Sequence, residues 1–431
     1  MPAHSSHEGA GRKLLVLDAS FTLEMIRERG LEDSVTCRVL GGYFEHVWTV
    51  HPFATLLTSD QWSPRYGKPD SREVDPANTF IEGKVGRFGW LRRIFPLNFL
   101  LSQIGLFLYL RRLIRVEGIG VVRAGEPLYL GLFGWALART TGIPLVVRVG
   151  SNHDKIFKVT GRPLQPRLLV SRKVEKIVER FVLKRADLVA GANQDNLDFA
   201  IANGARPEFS TLFRYGNLID KRHFVAPADR RTDPERYRRL GIEAKKYFLY
   251  VGRLEAVKHP DDVVRVLAEV RRRGFDIKGV LAGDGRMRAE LVELACELGV
   301  GGHIVFAGSL SQDWLADLIP NAAFILSPHT GRALGEAALG AVPIVAYDID
   351  WQSEMVETGV TGMIVPHLAL KEMADAAEHL LVHPAEARAM GEAARGRACE
   401  MLDPAALDEH ERAQYEALLR RWSRNRRPAA P

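Results

Sequence analysis

Apolar positions fall along this chain in two alternating rhythms. Short continuous runs, such as KLLVLDA from Lys13 and IPLVVRVG from Ile143, have the pattern of strands buried on both faces of a parallel sheet. Between them, apolar residues recur every three or four positions. Residues 173–185 place Val174, Ile177, Val178, Phe181 and Val182 on one face and are expected to be a helix. In the first half, strands are expected at KLLVLDA, residues 47–50, GIGVVRAGE, IPLVVRVG and ADLVAGA. Helices are expected at residues 97–115, LFGWALARTTG, 173–185 and 195–203. Strand alternating with helix predicts a doubly wound α/β domain.

After Val225 the pattern lapses into APADRRTDPERYRRLG, which reads as a linker containing a short helix. It then restarts. Strands are expected at YFLYVG, KGVLAG, HIVFAG, AAFILSP and VPIVAYD, with helices at 261–273, 286–298, 313–319 and 333–339. A chain of 431 residues exceeds one ordinary core. The expectation is therefore two Rossmann-like domains facing a cleft, residues 1–224 and 225–404. A last helix, 405–431, is expected to cross back onto the first.

Composition narrows the class. The chain is 46% apolar and 26% charged with a formal net charge of +6, as in a soluble, mildly basic protein suited to an anionic substrate or an anionic membrane surface. It carries no known nucleic-acid signature. Cys37, Cys296 and Cys399 are too scattered for a disulfide framework or a metal site, which points to a reducing cytoplasm. Residues 1–13 lack the apolar core of a signal peptide. One segment stands apart: IFPLNFLLSQIGLFLYL, residues 94–110, is apolar and flanked by Arg92–Arg93 and Arg111–Arg112. It is shorter than a spanning helix and holds Pro96, Asn98, Ser102 and Gln103. It reads first as a core helix, and second as an interfacial one giving peripheral contact with the cytoplasmic membrane face.

The chemistry concentrates in residues 247–365. Arg253 and Lys258 follow the first strand of the second half, while Gly331 and Glu336 open a helix after another strand. Strand ends, helix starts, glycines and paired cations together describe a site for a phosphorylated ligand. The motifs there resemble those of the retaining, GT-B-fold glycosyltransferases of group 1. The resemblance rests on VERFVLKRADLVAGANQDNLDFAIANGA, RYGNLIDKRHF, GRLEAVKHP, AGDGRMRAELVELACELGVGGHIVFAG and GEAALGAVPIVAYD with SEMVETGVTGMIV. In RYGNLIDKRHF the matching positions are Asn217, Ile219, Asp220 and Phe224. Leu218 and His259 stand where the family has glycine.

The resemblance implies a nucleotide diphosphate sugar as donor substrate, with no metal and no other cofactor. It implies that Arg253 and Lys258 hold the diphosphate as charge builds on it, and that Glu336 accepts hydrogen bonds from the ribose. It places Gly252, Gly283, Asp284, Gly285, Val305 and Phe306 on the nucleotide side. His329, Thr330, Gly331, Arg332, Ala333 and Leu334 fall in the loop and helix start before Glu336. Glu354 and the Thr361–Gly362 turn follow. The Asp348/Asp350 pair matches a loop near the nucleotide, not a metal site.

Two departures are visible. Pro328 replaces the family's first glutamate, eight residues before Glu336, and Gly150 stands where a first-domain histidine is usual. His153 is the nearest substitute for a catalytic histidine, with Asn152 and Asp154 as acceptor contacts. Arg148 and Lys155 are further cations for an anionic acceptor. The first loop, DASFTLEMIRERG, reaches a glycine only at Gly30. The expected activity is transfer of a hexosyl group to a glycan or lipid-linked acceptor in surface polysaccharide or glycolipid assembly. A non-hydrolysing epimerase-like enzyme and a catalytically decayed nucleotide-binding scaffold remain as alternatives.

Overall fold

The computed structural model describes residues 12–214, 218–329 and 331–426. Thr330 and Asn217 therefore lie outside the described residues. The chain divides into two compact units, residues up to 214 together with those from 405 onward, and residues between them up to 404.

The first unit is built on eight strands: Lys13–Leu17 (β1), His46–His51 (β2), Asp70–Asp75 (β3), Asn78–Glu82 (β4), Val121–Ala124 (β5), Leu145–Val149 (β6), Leu188–Gly191 (β7) and Ser210–Leu212 (β8). Their order in the sheet is β3-β4-β2-β1-β5-β6-β7-β8. All pair in parallel except β3 with β4. Successive residues of β1 serve opposite faces, as the pleat requires. Leu15 and Leu17 pack with Leu106, Leu110 and Ile114 of helix Phe95–Glu117 and with Leu137 and Val182. Leu14 and Val16 pack with Phe44, Val47, Tyr415 and Leu418.

Tyr415 and Leu418 belong to the final helix, Pro404–Arg426, which is thus part of the first unit's core. A buried ion pair, Arg123 Nη1 to Glu411 Oε1 at 2.9 Å, fixes it. Arg412 Nε donates to Leu40 O at 2.7 Å and Arg421 Nη2 to Asp187 O at 2.7 Å.

The second unit has a wholly parallel sheet of Tyr247–Val251 (β9), Lys278–Ala282 (β10), Ile304–Gly308 (β11), Ile325–Ser327 (β12), Ile344–Tyr347 (β13) and Gly362–Val365 (β14), in the order β11-β10-β9-β12-β13-β14. One face packs Phe248, Tyr250 and Tyr347 against helices Pro260–Arg272 and Leu370–Val382. The other packs Tyr247, Leu249 and Ile344 against helices Gln312–Asn321, Ala333–Leu339 and Pro384–Leu402.

The segment from Leu218 to Phe224 differs from its expected place at the end of the first domain. Ile219 and Phe224 join the second unit's core, and Arg332 Nη1 donates to Leu218 O at 3.0 Å. The charge-rich stretch after Val225 is docked rather than a free linker. Arg230 Nη2 donates to Leu339 O at 2.9 Å, Arg236 pairs with Asp313 and Asp317, and Tyr237 Oη donates to Asp317 Oδ1 at 2.9 Å. Guanidinium groups reach buried carbonyls there, so an arginine-rich sequence packs without an apolar run.

Candidate functional site

In the second unit, the site grows from the carboxyl ends of β9 and β10, where parallel strands leave ligands room. Gly252 and Arg253 follow β9; Gly283, Asp284 and Gly285 follow β10. The two turns interlock. Gly252 N donates to Ala282 O at 3.0 Å, Leu254 N to Asp284 O at 3.0 Å and Gly283 N to Gly308 O at 2.8 Å. Gly283 has φ +154°, and a Cβ there would lie 1.9 Å from Gly252 O. A Cβ on Gly285 would lie 2.4 Å from Leu254 O. The GDG sequence is therefore a steric requirement of the loop that carries Arg253, because only glycine permits this approach.

Arg253 is exposed and Lys258 half-buried, and each feels the other's charge. Among the described residues neither side chain has a hydrogen-bond or ion-pair partner, whereas nearly every other half-buried cation of this unit has one. Burial lowers the Lys258 pKa from the ordinary lysine value; Asp350 opposes this shift and Arg253 reinforces it. Holding an anion needs the ammonium form. Affinity for a diphosphate is therefore expected to fall as pH rises through this lowered pKa, by about tenfold per unit beyond it. Titrations of nucleoside diphosphate across alkaline pH check this; Lys258→Arg, which stays charged, is expected to flatten the curve.

The next loop braces the cations. His329 Nδ1 lies 2.7 Å from Val257 O, so it must donate, and this leaves Nε2 facing Asp350 Oδ2 at 3.6 Å. Buried Gln352 ties the strand ends together: its Nε2 donates to Pro328 O and Tyr347 O, both at 2.9 Å, and its Oε1 accepts from Ser327 Oγ at 2.9 Å. His259 takes the left-handed conformation, φ +49°, which accounts for a glycine being the residue otherwise suited to this position. Its Nε2 lies 3.2 Å from His367 Nε2. Burial first, then the neighbouring His367 and His329, push its pKa down to about 4.

Gly331 has no atom within 4 Å of where a Cβ would stand. Arg332 Nε faces Glu336 Oε1 at 3.4 Å, and Glu336 is buried. Ala333 is half-buried. Leu334 belongs wholly to the core, so only its backbone is available to a ligand. Val305 and Phe306 lie on β11, the edge strand, and Phe306 sits beneath the Arg288 guanidinium. Glu354 lies in the short helix Gln352–Met355. Thr361 and Gly362 are structural: Thr361 Oγ1 donates to Met355 O at 2.9 Å, and a Cβ on Gly362 would meet Ile344 O at 2.3 Å. Among the described residues no cluster of three or more His, Cys, Asp or Glu is placed to hold a metal ion.

In the first unit the candidate catalytic histidine lies inside a charged network. His153 is buried, with Nδ1 2.6 Å from Glu179 Oε1, and Arg172 binds the same carboxylate at 2.7 and 2.9 Å. Its neighbours are engaged too. Asn152 Oδ1 caps helix His153–Thr160 by accepting from Lys155 N, and its Nδ2 donates to Asp195. Asp154 pairs with Arg172 and Lys176, and Lys155 with Asp195. Arg148 donates to Phe213 O. These residues make a charged strut beside an open groove of about 390 Å³ lined by Asn152, Asp154, Lys155 and Asp195. His153→Ala is expected to cost about 1–3 kcal/mol of stability by removing one of the two partners of buried Glu179, while leaving nucleotide affinity unchanged. Thermal unfolding read beside a binding titration checks both.

A polar group that sequence reasoning missed ends β1, β2 and β4. Asp18 is ion-paired with Arg38, Lys84 with Asp70, and Glu82 Oε1 accepts from Leu23 N at 3.2 Å. His51 Nε2 and Glu82 Oε2 are buried without a partner among the described residues. Burial pushes His51 down to about 4, and Asp18 only partly offsets this. The available signal was a polar residue closing each apolar strand run.

Residues 233–397 match the family model of Glycosyl transferases group 1. The chain is 28% identical over 256 residues to alpha-D-kanosaminyltransferase of Streptomyces kanamyceticus, covering 58% of this chain and 65% of that protein. It is 29% identical over 215 residues to D-inositol 3-phosphate glycosyltransferase of Nocardia farcinica, covering 45% and 47%. The chain thus spans about half to two thirds of the length of these relatives. Anabaena Alr3699/HepE, solved in complex with UDP and glucose, superposes with a TM-score of 0.70 at 17% identity, over 94% of this chain and all of that one. The fold is the GT-B fold of glycosyltransferases.

Proposed function

We propose that this protein moves a hexosyl group from a nucleotide diphosphate sugar to an acceptor hydroxyl, with retention at the anomeric carbon. The single observation that carries the reading is the unpaired Arg253–Lys258 couple held on an interlocked glycine turn. In the reaction the bond from the anomeric carbon to the diphosphate oxygen breaks. The acceptor oxygen bonds that carbon on the same face, and the acceptor proton passes to the leaving diphosphate. Fixed cations favour this step because the diphosphate carries more charge in the transition state than in the bound donor. No metal is invoked: Arg253 and Lys258 take that role. Glu336 is proposed to face the ribose, with Gly331 giving room beside it. The polar ends of β1, β2 and β4, where His51 Nε2 and Glu82 Oε2 have no partner among the described residues, are proposed to meet the acceptor, a glycan or lipid-linked chain of a surface polymer assembled in the cytoplasm.

UDP, the nucleotide named with HepE, is the first to try. The test is release of nucleoside diphosphate from a panel of nucleotide sugars in the presence of glycolipid extract, with and without chelator, and the product anomer read by NMR. Retained configuration and chelator-insensitive turnover are expected. An inverted product would overturn the mechanism. Donor that binds without being consumed would favour a nucleotide-binding scaffold.

A further inference from the structure

The N-terminal half of helix Phe95–Glu117 is built inside out. Its inward positions include Asn98, Ser102 and Gln103, all buried and hydrogen-bonded. Asn98 Oδ1 accepts from Arg87 N at 2.7 Å, Ser102 Oγ donates to Lys84 O at 2.7 Å, and Gln103 Nε2 donates to Pro52 O at 3.1 Å. Its outward positions Leu97, Leu100, Ile104 and Leu108, at helical spacing, are exposed, Leu100 by 54% and Leu108 by 56%. Ile94 and Phe95 are exposed beside them, and Trp90, on the turn Gly89–Leu91, is 77% exposed. A helix facing water carries the reverse arrangement. Isolated exposed leucines are ordinary; a continuous strip with an aromatic at its end is not.

The charges around the strip choose the occupant. Arg92 and Arg93 lie at one end and Arg111, Arg112 and Arg115 at the other, and no Asp or Glu occurs between Phe88 and Val116. Among the described residues none of these five arginines is in an ion pair. A second copy of the chain would bring the same arginines to the contact with no acid on the strip to meet them. An anionic lipid surface accepts both features: acyl chains take the leucines, headgroups take the guanidiniums, and Trp90 sits at the boundary. The helix cannot leave the fold to cross a bilayer, because Leu106, Leu110 and Ile114 are core residues. We propose that this face lies flat on an anionic membrane, Trp90 and Leu97 to Leu108 entering the interface. The surface stands independently of sugar transfer, since lipid binding is read without donor or acceptor.

The test is flotation with phosphatidylcholine vesicles, with and without phosphatidylglycerol, of the full chain and of the Leu100→Ser/Ile104→Ser/Leu108→Ser variant. These side chains are exposed, so thermal unfolding and nucleotide binding are expected to match wild type. Wild type is expected to float with anionic vesicles, less so at high salt, and the variant roughly tenfold less. No flotation, equal flotation of the variant, or equal binding to neutral vesicles would overturn the proposal. So would a wild-type dimer in sedimentation equilibrium that the variant abolishes, since a second copy would then cover the strip.

Discussion

Alanine at Arg253 or at Lys258 is expected to lower kcat/KM about 100- to 1,000-fold, roughly 2.7–4 kcal/mol of transition-state stabilisation. The effect should fall mainly on kcat, because charge builds on the diphosphate as the sugar leaves. Stability separates this from a structural role. Lys258 is desolvated and unpartnered among the described residues, so its removal should leave the melting temperature unchanged or raised. A melting temperature that falls in step with activity would assign both residues to the fold instead.

The second large effect is expected at Gly283. A Cβ 1.9 Å from Gly252 O cannot be accommodated without moving the turn that carries Arg253, and the positive φ adds strain. Gly283→Ala should destabilise the second unit by roughly 3 kcal/mol or more and abolish nucleotide binding. Gly331 supplies the contrast, because a Cβ there meets nothing within 4 Å. Gly331→Ala should melt as wild type does but bind donor more weakly, if the space beside it is where the donor lies. Thermal melts and binding titrations on the two variants measure both quantities; an intact Gly331→Ala with full donor affinity would remove Gly331 from the site.

The second unit was the more legible half, for physical reasons. Strands such as YFLYV and GVLA are buried on both faces, so they read as continuous apolar runs. The loops after them carry glycines that sterics demand, and these stand out in sequence. Strand β3, DSREVD, has no such signature: it is an antiparallel edge strand, half exposed and mostly charged. β8 is three residues long and β14 is a short apolar run inside a longer motif. The docked arginine segment after Val225 was hidden because its partners, backbone carbonyls and carboxylates, lie up to 109 residues away.

The candidate site's local geometry was legible where sterics demand glycine, as in the GDG turn beside Arg253. It was not legible where burial decides. Nothing in GSNHDKIF shows that Glu179 lies beneath His153, 26 residues on, and takes its ring nitrogen. Nor does AYDID reveal that Asp350 turns toward His329 and Lys258, or that Gln352 laces the strand ends together.

The most direct measurement is a calorimetric titration of UDP, GDP, ADP and dTDP, each beside its monophosphate, into wild type and into the Arg253→Ala/Lys258→Ala double variant. One diphosphate should bind wild type at least about tenfold more tightly than its monophosphate, and the double variant should lose that preference while still melting normally. A wild type that binds no diphosphate, or a double variant that keeps the preference, would contradict the assignment of these two cations to the leaving group.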